Sequence, residues 1–175
     1  EIFEAEAFNL SDSSIVVDLG AGTGKAVATG VLLYGAQHGI GIELSPLRWR
    51  VGCEVLQRWS QWLQSASGRM LQQSMPRRAA VIEHRLGDVV AADIRGASNV
   101  LIFATCFPSE VTKALQWQLL RQMELGGVVF AAGVEKEWVS AAEASGRRLD
   151  RLLTEEQCAE NDDGVESRMW HVTHA

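Results

Sequence analysis

Three carboxylates and a cluster of glycines carry the chemical content of this sequence. Asp18 opens the stretch Asp18-Leu19-Gly20-Ala21-Gly22-Thr23-Gly24, Glu43 stands about 20 residues beyond it, where a ribose hydroxyl pair is expected, and Asp88 follows a third apolar stretch. Glycines at this density let the backbone turn tightly and let a ligand approach where a Cβ would intrude. A carboxylate accepts two hydroxyl bonds from a ribose through its two oxygens, and charge strengthens those bonds. Together these groups suit a ligand with a cationic end, a ribose and an amine-bearing base, and they would repel a pyrophosphate. The glycine spacing agrees. Gly20, Gly22 and Gly24 alternate, and Lys25 is followed by Ala26. That is neither the Gly-x-Gly-x-x-Gly of a dinucleotide loop nor the Gly-x-x-x-x-Gly-Lys-Ser/Thr of a nucleoside triphosphate loop.

Each residue has a plainer reading. Glu43 is then a solvated acid at a strand end, and Asp88 caps the turn that follows it. Cys106 is a small buried apolar residue, since nothing nearby in sequence activates a thiol. The six tryptophans are core and helix-packing residues rather than stacking platforms.

The elements that must hold these groups alternate between strand and helix. Ser14–Leu19 is a short β-branched apolar run ending in glycines, the pattern of a strand buried on both faces. Lys25–Ala36 reads as a helix and Gly39–Glu43 as the second strand, which makes a β-α-β unit. Ser45-Pro46 opens a long helix with Ser as N-cap and Pro at the first helical position. Val51, Val55, Trp59 and Leu63, with Trp62 alongside, form its apolar stripe, and Gly68 or the Pro76 region ends it. Ala79–His84 is a third strand, Asn99–Thr105 a fourth, Ser109–Met123 a helix and Gly127–Ala132 a fifth strand. Arg148–Gln157 and Val165–Thr173 are extended segments around the polar turn Glu160–Gly164, which predicts an antiparallel hairpin at the end of the sheet. The expectation is a single α/β domain over residues 1–175, with a doubly wound, mostly parallel sheet and helices on both faces.

The order Val-Asp-Leu-Gly-Ala-Gly-Thr-Gly, then Gly-Ile-Glu-Leu-Ser-Pro, then Gly-Asp-Val resembles the class I S-adenosylmethionine (SAM) dependent methyltransferases over nearly the whole chain. The resemblance implies a seven-stranded, Rossmann-like sheet with a reversed final hairpin and S-adenosyl-L-methionine as cofactor. It places SAM over Gly20, Ala21, Gly22, Thr23 and Gly24, with Asp18 near its amino acid end, Glu43 on its ribose and Asp88 near its adenine amine. Leu44 and Val89 would flank the adenine. Within the class, Gly41–Arg48 and Asn99–Pro108 look most like the non-SET histone-lysine methyltransferases of the disruptor-of-telomeric-silencing type and their relatives. Those enzymes carry asparagines after the fourth strand, where this chain has Ala104-Thr105-Cys106.

Methyl transfer from SAM needs alignment and exclusion of water more than acid-base groups. Thr105, Cys106 and Phe107, after the fourth strand, are the catalytic candidates that line the acceptor opening. Phe107 would pack on the methyl-accepting group and Thr105 would orient it. A lysine acceptor must arrive uncharged, which a dry apolar channel favours. A protein side chain is the favoured acceptor, and a small molecule or nucleic acid the alternative. The sequence Thr105-Cys106-Phe107-Pro108 lacks the Asn/Asp-Pro-Pro-aromatic loop of exocyclic-amine methylases. A catalytically silent SAM-fold binding module is the reading from another class, and a nicotinamide oxidoreductase ranks third.

Composition bounds the remaining choices. A net charge of −6 over 175 residues disfavours a nucleic-acid surface spread over the whole domain but permits a local basic patch, such as Arg77-Arg78 or Arg147-Arg148. No apolar run reaches the ~20 residues of a membrane-spanning helix. The acidic start at Glu1 without a Met reads as a fragment with no secretory leader. Three widely spaced cysteines, Cys53, Cys106 and Cys158, suit a reduced intracellular protein, cytoplasmic or nuclear, without structural zinc. Four histidines show no metal-ligand spacing beyond a weak His171-x-x-His174 pair, so no metal is expected.

Overall fold

The computed structural model describes residues 8–74, 81–133, 147–151 and 167–174. Two compact units emerge, Leu10–Val89 and the segment from Val90 onward together with Phe8 and Asn9.

In Leu10–Val89, strand β1 (Ile15–Leu19) pairs in parallel with β2 (His38–Glu43), which pairs in parallel with β3 (Val81–Leu86). Val16, Val17 and Leu19 of β1 and Ile40 and Ile42 of β2 are buried, as unbroken apolar strands between helices should be. Helix α1 (Lys25–Leu32) turns Val27 and Val31 inward, onto Gly39 of β2. It is four residues shorter than the expected helix to Ala36.

Helix α2 (Pro46–Leu63) starts as its sequence predicts: the Ser45 hydroxyl accepts from the Arg48 N–H, and Pro46 takes the first position. Its end and its buried face both differ from expectation. The chain breaks after Leu63 and restarts as α3 (Ala66–Ser74), where Ser65 accepts from the Gly68 N–H. Gly68 is therefore inside α3 rather than a terminator. A Cβ there would stand 2.3 Å from the Trp62 carbonyl oxygen and 2.4 Å from Leu63 Cα, so its lack of a side chain lets α3 fold back on the end of α2. Gly52 is the one buried residue of α2, and Trp49, Cys53, Leu56, Trp59 and Leu63 on the same side are half-buried. The expected stripe splits. Trp59 and Leu63 belong to this inner side, whereas Val51 and Val55 join Leu47 and Trp62 on an outer one, where Leu47 is 70% and Val55 51% exposed. A strict four-residue repeat drifts by about 40° per step around a helix of 3.6 residues per turn, so Val51 and Leu63 at its ends stand about 120° apart.

In the second unit, β4 (Asn99–Phe103) pairs in parallel with β5 (Val128–Ala132). Strand β7 (Ser167–His174) pairs antiparallel with β5 and with β6 (Arg147–Arg151). Helix α4 (Ser109–Gln122) buries Leu115, Leu119 and Leu120, and Val100, Leu101, Ile102, Val129 and Ala131 are buried in the strands. Asn99 donates through Nδ2 to the Phe8 carbonyl at 2.6 Å, which satisfies a buried amide.

Arg77-Arg78, Trp138, Cys158, residues 152–157 of the first tail segment and the 160–164 turn lie outside the described residues. Among the described residues no helix is long and apolar enough to cross a membrane.

Candidate functional site

The glycine loop is held by the strand beside it. The N–H groups of Gly20 and Ala21 both donate to the Ile42 carbonyl at 2.9 Å, and Gly24 donates to the Ala21 carbonyl at 2.7 Å. Gly22 then donates to Oε2 of Glu43 at 2.8 Å, while Oε1 of the same carboxylate accepts from the Ser45 N–H at 2.7 Å. One side chain thus ties the loop to the start of α2. Gly20, Gly22 and Gly24 all have positive φ, at 94°, 57° and 76°. The Gly22 conformation is one that a Cβ disfavours, and its side-chain position faces open space, so the loop presents bare backbone outward.

Burial governs the electrostatics. Asp18 and Glu43 are each only 2% exposed, which overturns the solvated-acid reading of Glu43. Burial above all, and then the charge of Glu43, push the Asp18 carboxyl up to about 7. Asp18 Oδ1 is buried with no hydrogen-bond partner. Two buried carboxylates with one oxygen unsatisfied make a site that a cationic or donor-rich group would stabilise. Arg48 reaches Glu43 from outside, with Nε 3.5 Å from Oε1.

The other proposed cofactor residues in this unit differ in setting. Ala21 is buried and Thr23 exposed; Leu44, directly after Glu43, is 66% exposed. Asp88 is exposed and precedes the 3-10 turn Val89–Ala91, whose first residue, Val89, is buried. Loop geometry therefore gathers Asp18, Gly20–Gly24 and Glu43. Sequence reasoning missed His84, whose ring lies against the loop; between Glu83 and Arg85 it carried no signal that set it apart.

Thr105, Cys106 and Phe107 belong to the second unit and follow β4 there. Ala104 donates to the Ala132 carbonyl at 2.8 Å and Phe107 donates to the Ala104 carbonyl at 2.9 Å, which makes a tight turn. Thr105 Oγ1 and Cys106 Sγ are 3.9 Å apart. Cys106 is exposed, contrary to the buried apolar reading, because the turn carries it past the strand end. Among the tryptophans whose burial is described, Trp49, Trp59 and Trp117 are half-buried on helices rather than in the core, and Trp62 is exposed. Trp59 packs on Trp62 with centroids 5.1 Å apart, and Arg121 lies over Trp117. Among the described residues no group of His, Cys, Asp and Glu could hold a metal.

No protein-family model matches this chain, and no curated protein does. Solved structures do share its fold. An RNA methyltransferase from Salinibacter ruber in complex with S-adenosyl-L-homocysteine is 20% identical, with a TM-score of 0.63 over 97% of this chain and 88% of that one. The M. jannaschii protein TYW2 in complex with AdoMet is 16% identical, with a TM-score of 0.61 over 99% and 75%. The B. subtilis M1A22 tRNA methyltransferase TrmK is 12% identical, with a TM-score of 0.61 over 99% and 65%. The fold is accordingly the α/β, Rossmann-like fold of the SAM-dependent methyltransferases.

Proposed function

We propose that this chain is a SAM-dependent methyltransferase. The observation that carries the reading is the buried Asp18–Glu43 pair behind a glycine loop, with one carboxylate oxygen unpartnered and the loop backbone open to a ligand. The shared fold supports it, because the S. ruber and M. jannaschii structures hold S-adenosyl-L-homocysteine and AdoMet. In this reading residues 1–175 act as one domain with a seven-stranded sheet, supported by the parallel pairings of β1 to β3 and of β4 with β5 and the antiparallel pairings of β7.

SAM, when bound, supplies a methyl group already activated on sulfur. The protein's part is to bind and orient. Asp18 receives the cationic amino acid end, Glu43 keeps the loop in place and accepts from the ribose, and Leu44 and Val89 flank the base, with Asp88 at its amine. Thr105 and Phe107 orient the acceptor and exclude water, and Cys106 lines the opening without acting as a nucleophile.

For the acceptor we infer a protein side chain, a lysine amine included. Its support is the resemblance of Gly41–Arg48 and Asn99–Pro108 to the non-SET histone-lysine enzymes. RNA is the second reading, favoured by two fold neighbours that are an RNA and a tRNA methyltransferase. Isothermal titration with SAM and with S-adenosylhomocysteine tests the cofactor. Micromolar binding is expected, and a folded sample that binds neither refutes the assignment. Transfer of labelled methyl to histones or to total RNA separates the acceptors, and binding without transfer to any acceptor would identify a silent module.

A further inference from the structure

The imidazole of His84 occupies a niche built from three glycines on three different elements. His84 sits opposite Gly41 in the β2–β3 register, and a Cβ on Gly41 would stand 3.4 Å from its Cδ2. A Cβ on Gly24, the N-cap of α1, would stand 3.4 Å from Nδ1. A Cβ on Gly52 would lie 2.2 Å from Cε1 and 2.3 Å from Nδ1, far inside contact distance, and 3.0 Å from the Thr23 carbonyl oxygen of the loop. Gly52 is also the one buried position of α2, so the helix meets the loop across this ring. The Trp49 indole donates to the His84 carbonyl at 2.9 Å and pins the strand to the same helix.

Both ring nitrogens are buried without a hydrogen-bond partner, an expensive state for a side chain with no further task. The charge of Glu43 and the Gly22 backbone favour a proton on the ring, yet burial outweighs them and holds the imidazole below its ordinary range. The three glycines contribute no charge. Glu83 and Arg85, its chain neighbours, point to the other face of the strand and bond to each other.

Building on the cofactor assignment, we propose that His84 is the positioning residue of the glycine loop. Its neutral ring is a wedge that sets the spacing between Gly22–Gly24 and α2, and thereby the aim of the Gly22 N–H and Glu43 toward the ligand. It touches no reacting atom. Protonation beside Glu43 would draw that carboxylate from the Gly22 N–H and slacken the loop.

The test is S-adenosylhomocysteine titration from pH 5.5 to 8.5 on the wild-type chain, His84→Gln, His84→Ala, Gly52→Ala and the Gly52→Ala/His84→Ala pair, with thermal unfolding of each. His84→Gln and His84→Ala should each weaken binding at least tenfold at pH 7.5. A proton-linked loss of affinity toward pH 5.5 should be present in the wild type and absent from His84→Gln, whereas any step due to Asp18 is common to both. Gly52→Ala should weaken binding by itself, and pairing it with His84→Ala should recover most of that loss, because the methyl then fills the space of the ring. A folded His84→Gln with wild-type affinity and pH profile overturns the proposal, as does a double variant that recovers nothing. Should the His84 variants not fold, Gly52→Ala decides alone: unchanged affinity overturns the wedge and a tenfold loss supports it. A wild-type chain that binds neither SAM nor S-adenosylhomocysteine defeats the cofactor assignment, and this proposal with it; binding by wild type and variants alike defeats this proposal only.

Discussion

The loops that follow β1 and β4 both leave parallel strands, yet they are built in opposite ways. After β1 the chain is tied at Gly20, Ala21, Gly22 and Gly24 to the backbone of Ala21 and Ile42 and to the Glu43 carboxylate, with Asp18 buried at its root. After β4, backbone bonds hold Ala104 and Phe107, and Thr105 and Cys106 are exposed. Rigid, prepaid geometry suits a ligand that never changes, because less ordering remains to be done on binding. A turn that exposes its side chains suits a partner whose identity differs between proteins of one fold. The proposed function assigns the cofactor to the first loop and the acceptor to the second, in line with this contrast.

The sharpest way to break this contrast is through Asp18. Its carboxyl titrates near 3.8 when unfolded and about 7 when folded, so the native state keeps a proton that the unfolded chain has lost. Stability should therefore fall as pH rises from about 4 to about 7 and level off above, the reverse of an ion-paired carboxylate. Asp18→Asn should flatten that slope and raise stability at pH 8 by up to about 4 kcal/mol in denaturant titrations. A slope unchanged by the substitution would mean that the Asp18 charge is not strained. A cationic ligand end at Asp18 would also make binding release a proton below pH 7, visible as a buffer-dependent binding enthalpy.

Glu43→Ala comes next. Removing an acceptor of two backbone bonds should weaken SAM by about 2–3 kcal/mol, roughly 30- to 150-fold by calorimetry, with the fold retained. Equal affinity in the variant would detach the loop from the cofactor. Gly22→Ala should cost about 1 kcal/mol of stability through its left-handed backbone alone, since its Cβ would meet nothing within 4 Å; chemical denaturation measures it. The smallest effect is expected after β4. Thr105→Val and Cys106→Ala should change stability by no more than about 0.5 kcal/mol and leave SAM affinity intact, while transfer to the acceptor slows. Weakened SAM binding in either variant would erase the division of labour between the loops.

The alternation of strand and helix, the Ser45-Pro46 start of α2 and the glycine loop after Asp18 were all legible in the sequence. Each is a local property: an unbroken apolar run, a capping residue, or a glycine where φ must be positive. Glu43 was legible as to place but not state, because its burial depends on the loop closing over it from 21 residues away. The inner face of α2 was misread for a similar reason. Val51 and Trp59 both belong to the expected stripe, and contacts with distant segments, the His84 ring against Gly52 and the Trp49 bond to the His84 carbonyl, fix which side of the helix turns inward. His84 itself carries no motif. Its significance arises where β3, α2 and the glycine loop converge, with the Trp49 bond alone spanning 35 residues. Short-range propensity and periodicity thus determined which elements form and in what order. Burial, charge coupling and close approach between distant segments belonged to the tertiary structure, since each depends on what stands opposite a residue rather than beside it.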